Sequence, residues 1–133
     1  MNRADTILKY SFLICFIYFV CMAIAHFFGI KLPVLFVYYD TPYYAYQDKI
    51  ISFCVVTYAI LFFGAFQNRV LAPYAVLSLI ATVLGLSFIN VSSALSSVLN
   101  GGNTVAYWMQ TGMIACIAVW LSVFYFRSKN SKK

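Results

Sequence analysis

The sequence contains no glutamate, its only acidic residues are Asp5, Asp40 and Asp48, and its only histidine is His26. Membrane enzymes commonly use several acids or a histidine cluster for proton transfer or metal binding. So few ionisable residues leave little material for such a site, and we expect neither a metal nor a cofactor. No residue pattern identifies a catalytic residue. Charged residues make up 9% of the chain, against about 25% in soluble domains, which excludes an ordinary soluble domain.

The four cysteines, Cys15, Cys21, Cys54 and Cys116, form no C-x-x-C motif. This excludes the close, accessible pair that a disulfide-forming membrane enzyme requires. We expect all four to be small, buried apolar side chains inside helices. The chain also lacks the membrane-embedded glutamate of small multidrug exporters and the tryptophan and cysteines of the claudin-like first loop. No motif points to a known family.

Apolar residues make up 64% of the chain and are concentrated in four runs, near residues 10–30, 50–66, 73–89 and 105–126. An α-helix of about 20 residues crosses the roughly 30 Å of hydrocarbon in a bilayer. The second helix could begin at residue 42 and the third could extend to residue 99. We predict an all-α, polytopic membrane protein in which residues 1–133 form one domain, an antiparallel bundle of four transmembrane helices.

The basic residues predict the orientation of this bundle, because cytoplasmic loops of membrane proteins are enriched in lysine and arginine. A cytoplasmic N-terminus leaves only Lys31 and Lys49 outside. The other basic residues are then cytoplasmic: Arg3, Lys9, Arg69, Arg127, Lys129, Lys132 and Lys133. We therefore expect both termini in the cytoplasm, residues 127–133 as a basic cytoplasmic tail, and a location in the inner (plasma) membrane of a bacterium.

A candidate polar cluster lies at the outer ends of the helices and consists of His26, Asp40, Asp48 and Gln110. Ionisable residues within membrane spans are functional candidates. A histidine–aspartate pair here would fix the imidazole tautomer and could serve as a proton site, a pH sensor or part of a weak metal site. The alternative is that His26 only pins the first outer loop to the bundle through a hydrogen bond.

The first outer loop, residues 31–49, is rich in tyrosine: Tyr38, Tyr39, Tyr43, Tyr44 and Tyr46. Such residues are typical of an aromatic belt at the level of the lipid headgroups. They could instead form a docking surface for a partner or an amphipathic ligand. Within the loop, Asp40 or Thr41 can cap a helix that has Pro42 in its first turn.

Stripes of small and polar residues are expected to mediate helix packing, because lipid provides no hydrophobic drive between helices. On the first helix the larger residues Phe16, Phe19 and Phe27 are expected on the opposite face. The stripes are, in chain order, Ser11, Cys15, Tyr18, Met22, His26 and Gly29; Cys54, Thr57, Leu61, Gly64 and Asn68; Ala75, Ser78, Thr82 and Gly85; and Thr111, Ala115, Ala118 and Ser122.

We expect a non-enzymatic accessory subunit, assembly factor or interaction scaffold, because ionisable residues are scarce and packing faces are plentiful. One alternative is an oligomeric transporter of a small molecule or ion. Another is a membrane enzyme that acts on a lipid or quinone at the outer leaflet with His26 as acid and base. The expected partners are the lipid bilayer and either another membrane protein or further copies of this chain. Nucleic acid is not expected, because the basic residues flank apolar runs and form no aromatic-basic patch.

The predicted orientation can be tested by cysteine labelling in intact cells. In a chain whose own cysteines are replaced by alanine, an Ala45→Cys substitution should react with a membrane-impermeant maleimide added from outside. Labelling that requires access from the cytoplasm would overturn the orientation.

Overall fold

The computed structural model describes residues 3–32, Leu35 and residues 44–130, with Tyr44 and Ala45 described by their backbone alone. The α-helices are α1 (Arg3–Phe28), α2 (Tyr44–Gln67), α3 (Ala72–Asn90), α4 (Ser93–Val98) and α5 (Val105–Asn130), and a 3-10 helix (Arg69–Leu71) joins α2 to α3. The described part of the chain is all-helical. Helices α1, α2, α3 and α5 are each long and apolar enough to cross a membrane, which indicates an integral membrane protein.

Several helices extend beyond the apolar runs because their ends carry suitable charges. α1 begins at Arg3, ahead of the apolar run, and has Asp5 in its first turn. α5 continues to Asn130, with Arg127 and Lys129 in its last turn. Acids near a helix N-terminus and bases near a C-terminus interact favourably with the helix dipole. Much of the expected basic tail is therefore helical.

The third apolar run lies entirely within α3, and the possible extension of that helix to residue 99 is instead a separate short helix, α4. α3 ends at Asn90, and Ser92 is extended, with its hydroxyl accepting a hydrogen bond from the Leu95 backbone N–H at 3.3 Å. Serine is a favoured helix-capping residue, so Ser92 begins the separate helix α4. The turn after α4 has Asn100 and Gly101 at positive φ. The capping sequence expected at Asp40, Thr41 and Pro42 lies outside the described residues.

The contact between α1 and α2 is the most extensive in the molecule. Phe19 stacks on Phe62, with ring centroids 5.2 Å apart, and on Tyr58, with centroids 5.4 Å apart. Phe12 packs against the same Phe62 ring at 6.0 Å. Arg69 donates a hydrogen bond to Asp5 near the start of α1. The two helices therefore run in opposite directions around a shared aromatic core.

A polar contact joins every pair of long helices that pack together. His26 and Asp48 link α1 to α2, and the Trp120 indole N–H donates to the Ser11 hydroxyl at 3.0 Å, linking α5 to α1. Because hydrogen bonds are directional, each of these contacts helps to fix the relative position of two helices whose packing is otherwise apolar. The remaining two links are Tyr58 to Thr82 between α2 and α3, at 3.1 Å, and Asn90 to Thr111 between α3 and α5, at 2.9 Å.

A tight turn connects α2 to α3. The Asn68 side chain accepts a hydrogen bond from the Val70 backbone N–H at 3.0 Å and so starts the 3-10 helix. A Cβ atom at Gly64 would lie 2.8 Å from a methyl group of Leu71, so glycine permits this close approach. From this turn the Arg69 guanidinium donates to Asp5 and also to the Ser128 hydroxyl. Arg69 thereby joins the α2–α3 turn to α1 and α5.

The buried faces differ from two of the predicted stripes. On α1, Phe19 is buried against α2, so its predicted place on the opposite face is wrong. The stripe expected on α2 is also wrong, because Cys54 and Thr57 are exposed. The buried face of α2 is instead determined by aromatic stacking on α1 and by the inward Asp48. Its residues are Asp48, Ser52, Val55, Ala59, Phe62 and Ala65. In the predicted α3 stripe Ala75 is buried, Ser78 and Thr82 are half-buried and Gly85 is exposed. In the α5 stripe Thr111 and Ala118 are buried, and Ala115 and Ser122 are half-buried.

The expectation for the cysteines is confirmed for Cys15 alone. Cys15 is buried between helices, whereas Cys21, Cys54 and Cys116 are exposed. Large apolar side chains are also exposed, and only 22% to 33% of each spanning window is buried inside the chain. A surface of this kind is suited to lipid or to another apolar protein surface.

The aromatic core can be tested with two matched substitutions. Phe62 is fully buried, so Phe62→Ala should remove its contacts with Phe12 and Phe19 and lower the free energy of unfolding by about 2 kcal/mol. We expect less than the loss in a soluble core because lipid is as apolar as the protein interior. Phe88 is 76% exposed, and Phe88→Ala should leave stability almost unchanged. Equilibrium unfolding in mixed SDS micelles measures both, and equal losses would contradict the assignment of the core.

Candidate functional site

Almost all of the buried polar side chains lie at one end of the molecule, which we call the His26 end. It is the end at which α1 finishes and α2 begins. Among the described residues, Ser128 is the one buried polar residue at the opposite end. The buried polar residues at the His26 end are His26, Asp48, Ser52, Asn90, Gln110 and Thr111. Burying a polar side chain costs free energy unless hydrogen bonds compensate for it, and polar residues inside membrane spans are often functional. We therefore take this end as the candidate site.

A cavity of about 380 Å³ opens among these residues. Phe19, Val55 and Ile114 form part of its apolar wall, and Leu95 brings the short helix α4 against it. Leu95 is almost fully buried. Small-molecule sites in proteins are commonly about 300–1,000 Å³, mostly apolar, with a few placed polar groups. The cavity has this size and character.

An imidazole–carboxylate pair lies at the polar side of the cavity. His26 Nδ1 is 3.1 Å from Asp48 Oδ1, and the two side chains are only 11% and 6% exposed. α1 supplies His26 near its C-terminus, and α2 supplies Asp48 near its N-terminus, so the pair spans the connection between these helices. The second carboxylate oxygen, Oδ2 of Asp48, is buried and has no hydrogen-bond partner among the described residues.

Two side-chain amides from α3 and α5 complete the polar lining. The Asn90 amide donates to the Thr111 hydroxyl at 2.9 Å, and Thr111 in turn donates to the Tyr107 carbonyl at 2.9 Å. The Gln110 amide donates to the Leu35 carbonyl at 3.3 Å. Each amide therefore has one N–H group satisfied by protein, and an amide also carries a carbonyl oxygen that can accept a hydrogen bond.

Leu35, in the connection between α1 and α2, is held against the long helices. Its carbonyl accepts a hydrogen bond from the Tyr18 hydroxyl at 3.1 Å in addition to the one from Gln110. Tyr18 belongs to α1 and Gln110 to α5. The connection therefore covers the groove between these two helices at Leu35.

Three of the four residues of the predicted polar cluster line this one cavity: His26, Asp48 and Gln110. The fourth, Asp40, lies outside the described residues. Of the predicted tyrosine surface, Tyr38, Tyr39 and Tyr43 also lie outside them, and Tyr44 is described as the first backbone residue of α2. Tyr46 is 71% exposed on α2, close in sequence to Asp48.

Sequence reasoning missed Asn90 and Thr111 as site residues. Asn90 belongs neither to the predicted polar cluster nor to a predicted packing stripe, and Thr111 is expected only in a packing stripe. Tyr58 and Thr82, deeper in the cavity, were missed as well. A signal was present for Asn90, because a polar residue at the last position of a span, one residue before a break, can turn inward to a neighbouring helix.

The chemistry available here is hydrogen bonding and proton exchange. The described residues contain no group of three or more side chains that could hold a metal ion. An imidazole beside a carboxylate can take up or release a proton, and the oxygens of Asp48, Asn90 and Gln110 can accept hydrogen bonds.

Comparisons with protein-family models, curated protein sequences and solved structures found no match to this chain.

The His26–Asp48 pair can be tested by a double-mutant cycle with His26→Leu and Asp48→Leu. Each single change removes the contact between the two side chains but keeps one of the polar groups, whereas the double change removes both groups. We expect a coupling free energy of about 1–3 kcal/mol from unfolding measurements, with the double variant more stable than the sum of single losses predicts. Purely additive losses would show that the two side chains do not interact.

Proposed function

We propose that this chain is a non-enzymatic integral membrane protein that binds a small amphipathic molecule in the cavity at the His26 end. The cavity itself is the observation that carries this function. It combines about 380 Å³ of space with apolar walls and with a polar side formed by His26, Asp48, Asn90 and Gln110. A ligand with an apolar tail and a polar head matches that division, because each part meets lining of its own kind.

We further propose that the long helices form an antiparallel bundle with both termini in the cytoplasm of a bacterial inner membrane. The packing supports the bundle, since α1 and α3 each contact both α2 and α5. The excess of basic residues at the termini and at Arg69 supports the orientation. In this orientation the His26 end faces the outer leaflet, and its ligand would enter from that leaflet or from the external solution.

The exposed apolar surface of the long helices supports an additional role in binding another membrane protein. The long helices bury only 22% to 33% of each spanning window within the chain. A second membrane protein or further copies of the chain could cover part of the remaining surface. The protein would then act as an accessory subunit or scaffold whose association depends on the ligand.

A second function, acid–base catalysis on the bound molecule, is favoured by one observation. The His26 imidazole lies 3.1 Å from a buried carboxylate at the wall of the cavity. Such a carboxylate can orient an imidazole for proton transfer. This function requires a chemical change in the ligand that depends on His26, whereas binding alone does not.

Transport is less well supported. Beyond the cavity, the interior is filled by Phe12 and Phe62, which are almost completely buried. At the opposite end Arg69 ties the α2–α3 turn to both α1 and α5. A transport path through one chain would have to open both barriers, so transport would require an oligomer or a large rearrangement.

The binding function can be tested with two matched tryptophan substitutions on α3. Leu86 lines the cavity, and Leu86→Trp should fill part of it. Leu84 is 66% exposed, does not line the cavity, and provides the control Leu84→Trp. After gentle purification from native membranes, mass spectrometry should find a small molecule bound to the wild type and to Leu84→Trp but at least about tenfold depleted in Leu86→Trp.

Two other outcomes of the same experiment would change the assignment. Equal amounts of bound molecule in both variants would place the ligand elsewhere and contradict the proposal. A stoichiometric protein partner that remains bound to all three forms, with no small molecule, would favour an accessory subunit that does not depend on the cavity.

A further inference from the structure

We propose that the ligand of this cavity is an amphipathic cation, with an ammonium group bound by Asp48 and an apolar tail among the helices. This inference rests on the binding function proposed above and identifies the chemical class of its ligand. It begins from Asp48, whose carboxylate lines the cavity and is only 6% exposed. One of its oxygens, Oδ1, faces His26, and the other, Oδ2, has no hydrogen-bond partner among the described residues.

A buried carboxylate oxygen without a partner is unfavourable, and proteins usually satisfy such atoms with a hydrogen-bond donor. The described lining of the cavity contains no lysine or arginine to supply one. The nearest basic residue in sequence, Lys49, instead holds its ammonium over the Phe27 ring, 5.6 Å from the ring centroid. A ligand that brings its own charged donor would therefore satisfy Asp48.

The charge of the site also favours a cation. In the described lining of the cavity, Asp48 is the only acidic side chain, and no lysine or arginine lies beside it. A charge in a largely apolar cavity is stabilised most by an opposite charge brought to it directly. An anionic ligand would meet the carboxylate and be repelled.

The other polar groups of the cavity are suited to the remaining N–H groups of an ammonium. Asn90 and Gln110 both line the cavity, and a side-chain amide carries a carbonyl oxygen that can accept a hydrogen bond from an ammonium. The stacked rings of Phe19 and Tyr58 also line the cavity. These rings are suited to contact with the hydrocarbon tail of the ligand.

An ammonium on an apolar tail has two possible sources in a membrane. It can be the headgroup of an aminophospholipid or a free amphipathic amine. The chemistry recognised by Asp48 is the same in both cases, and competition between the two distinguishes them.

The test uses the full chain in nanodiscs made only of phosphatidylglycerol, which has no ammonium group. Isothermal titration calorimetry compares octylammonium, 1-octanol and octanoate, with empty nanodiscs subtracted for partitioning into lipid. We expect octylammonium to bind at least about tenfold more tightly than 1-octanol, since hydrogen bonds to charged groups are among the stronger ones. Octanoate should bind most weakly. This comparison needs no variant and does not depend on a substitution that could disturb folding.

Two variants then assign the preference to Asp48. Asp48→Asn keeps the shape of the side chain but removes its charge and should reduce the preference for octylammonium over 1-octanol to about twofold or less. Lys49→Gln changes a neighbouring charge outside the cavity and should preserve the preference. Nanodiscs that also contain phosphatidylethanolamine identify the source: weaker apparent octylammonium binding supports a lipid headgroup, and unchanged binding supports a free amine.

The outcomes separate this inference from the binding function. If 1-octanol and octylammonium bind equally, or octanoate binds most tightly, the cation is wrong and the binding function stands. If Asp48→Asn retains the full preference, Asp48 is not its source and the inference is overturned. If no probe binds and no molecule co-purifies with the wild type, both proposals fail.

Discussion

The pairing of α1 with α2 is the constraint on which the rest of the molecule depends. Near the start of α1, Asp5 pairs with Arg69 of the α2–α3 turn. Near the end of α1, His26 contacts Asp48 of α2. Asp5 and His26 are separated by the same number of residues as Asp48 and Arg69, close to six helical turns. An α-helix covers roughly 30 Å over that length, about the thickness of bilayer hydrocarbon. The Asp5–Arg69 ion pair and the His26–Asp48 contact therefore hold the hairpin in register at two levels, separated by about the thickness of bilayer hydrocarbon.

The aromatic core between these pairs explains why the cavity forms where it does. Phe12, Phe19 and Phe62 fill the space between α1 and α2 from the Arg69 end towards the middle. The contact between α2 and α3 is the least extensive among the neighbouring long helices, and among the described residues only the Tyr58–Thr82 hydrogen bond bridges it. The space that remains between the helices towards the His26 end is the cavity, and Leu95 of α4 lines it.

The polar groups at the two ends are satisfied to different degrees. At the Arg69 end the guanidinium contacts both Asp5 and Ser128, so acid, base and hydroxyl are matched to one another. At the His26 end Asp48 has a carboxylate oxygen without a partner among the described residues. Because an unsatisfied buried charge costs stability, the first end is suited to holding the helices together and the second to receiving a ligand. This difference underlies both the proposed binding function and the proposed ligand class.

The sequence by itself determined the helical character of the chain, its four long apolar helices and the approximate position of its polar residues. These follow from local properties: the length of an apolar run, a capping serine, a charge at a helix end. The sequence also indicated His26, Asp48 and Gln110 as one candidate cluster, because few ionisable or amide side chains lie near the outer ends of the helices. The tertiary structure decided which faces pack. Phe19 turned inward because it stacks on Tyr58 and Phe62 of another helix, and Asn90 became a site residue because Thr111 accepts its hydrogen bond. Such pairings depend on contacts between distant segments, which no local pattern in an almost uniformly apolar sequence distinguishes.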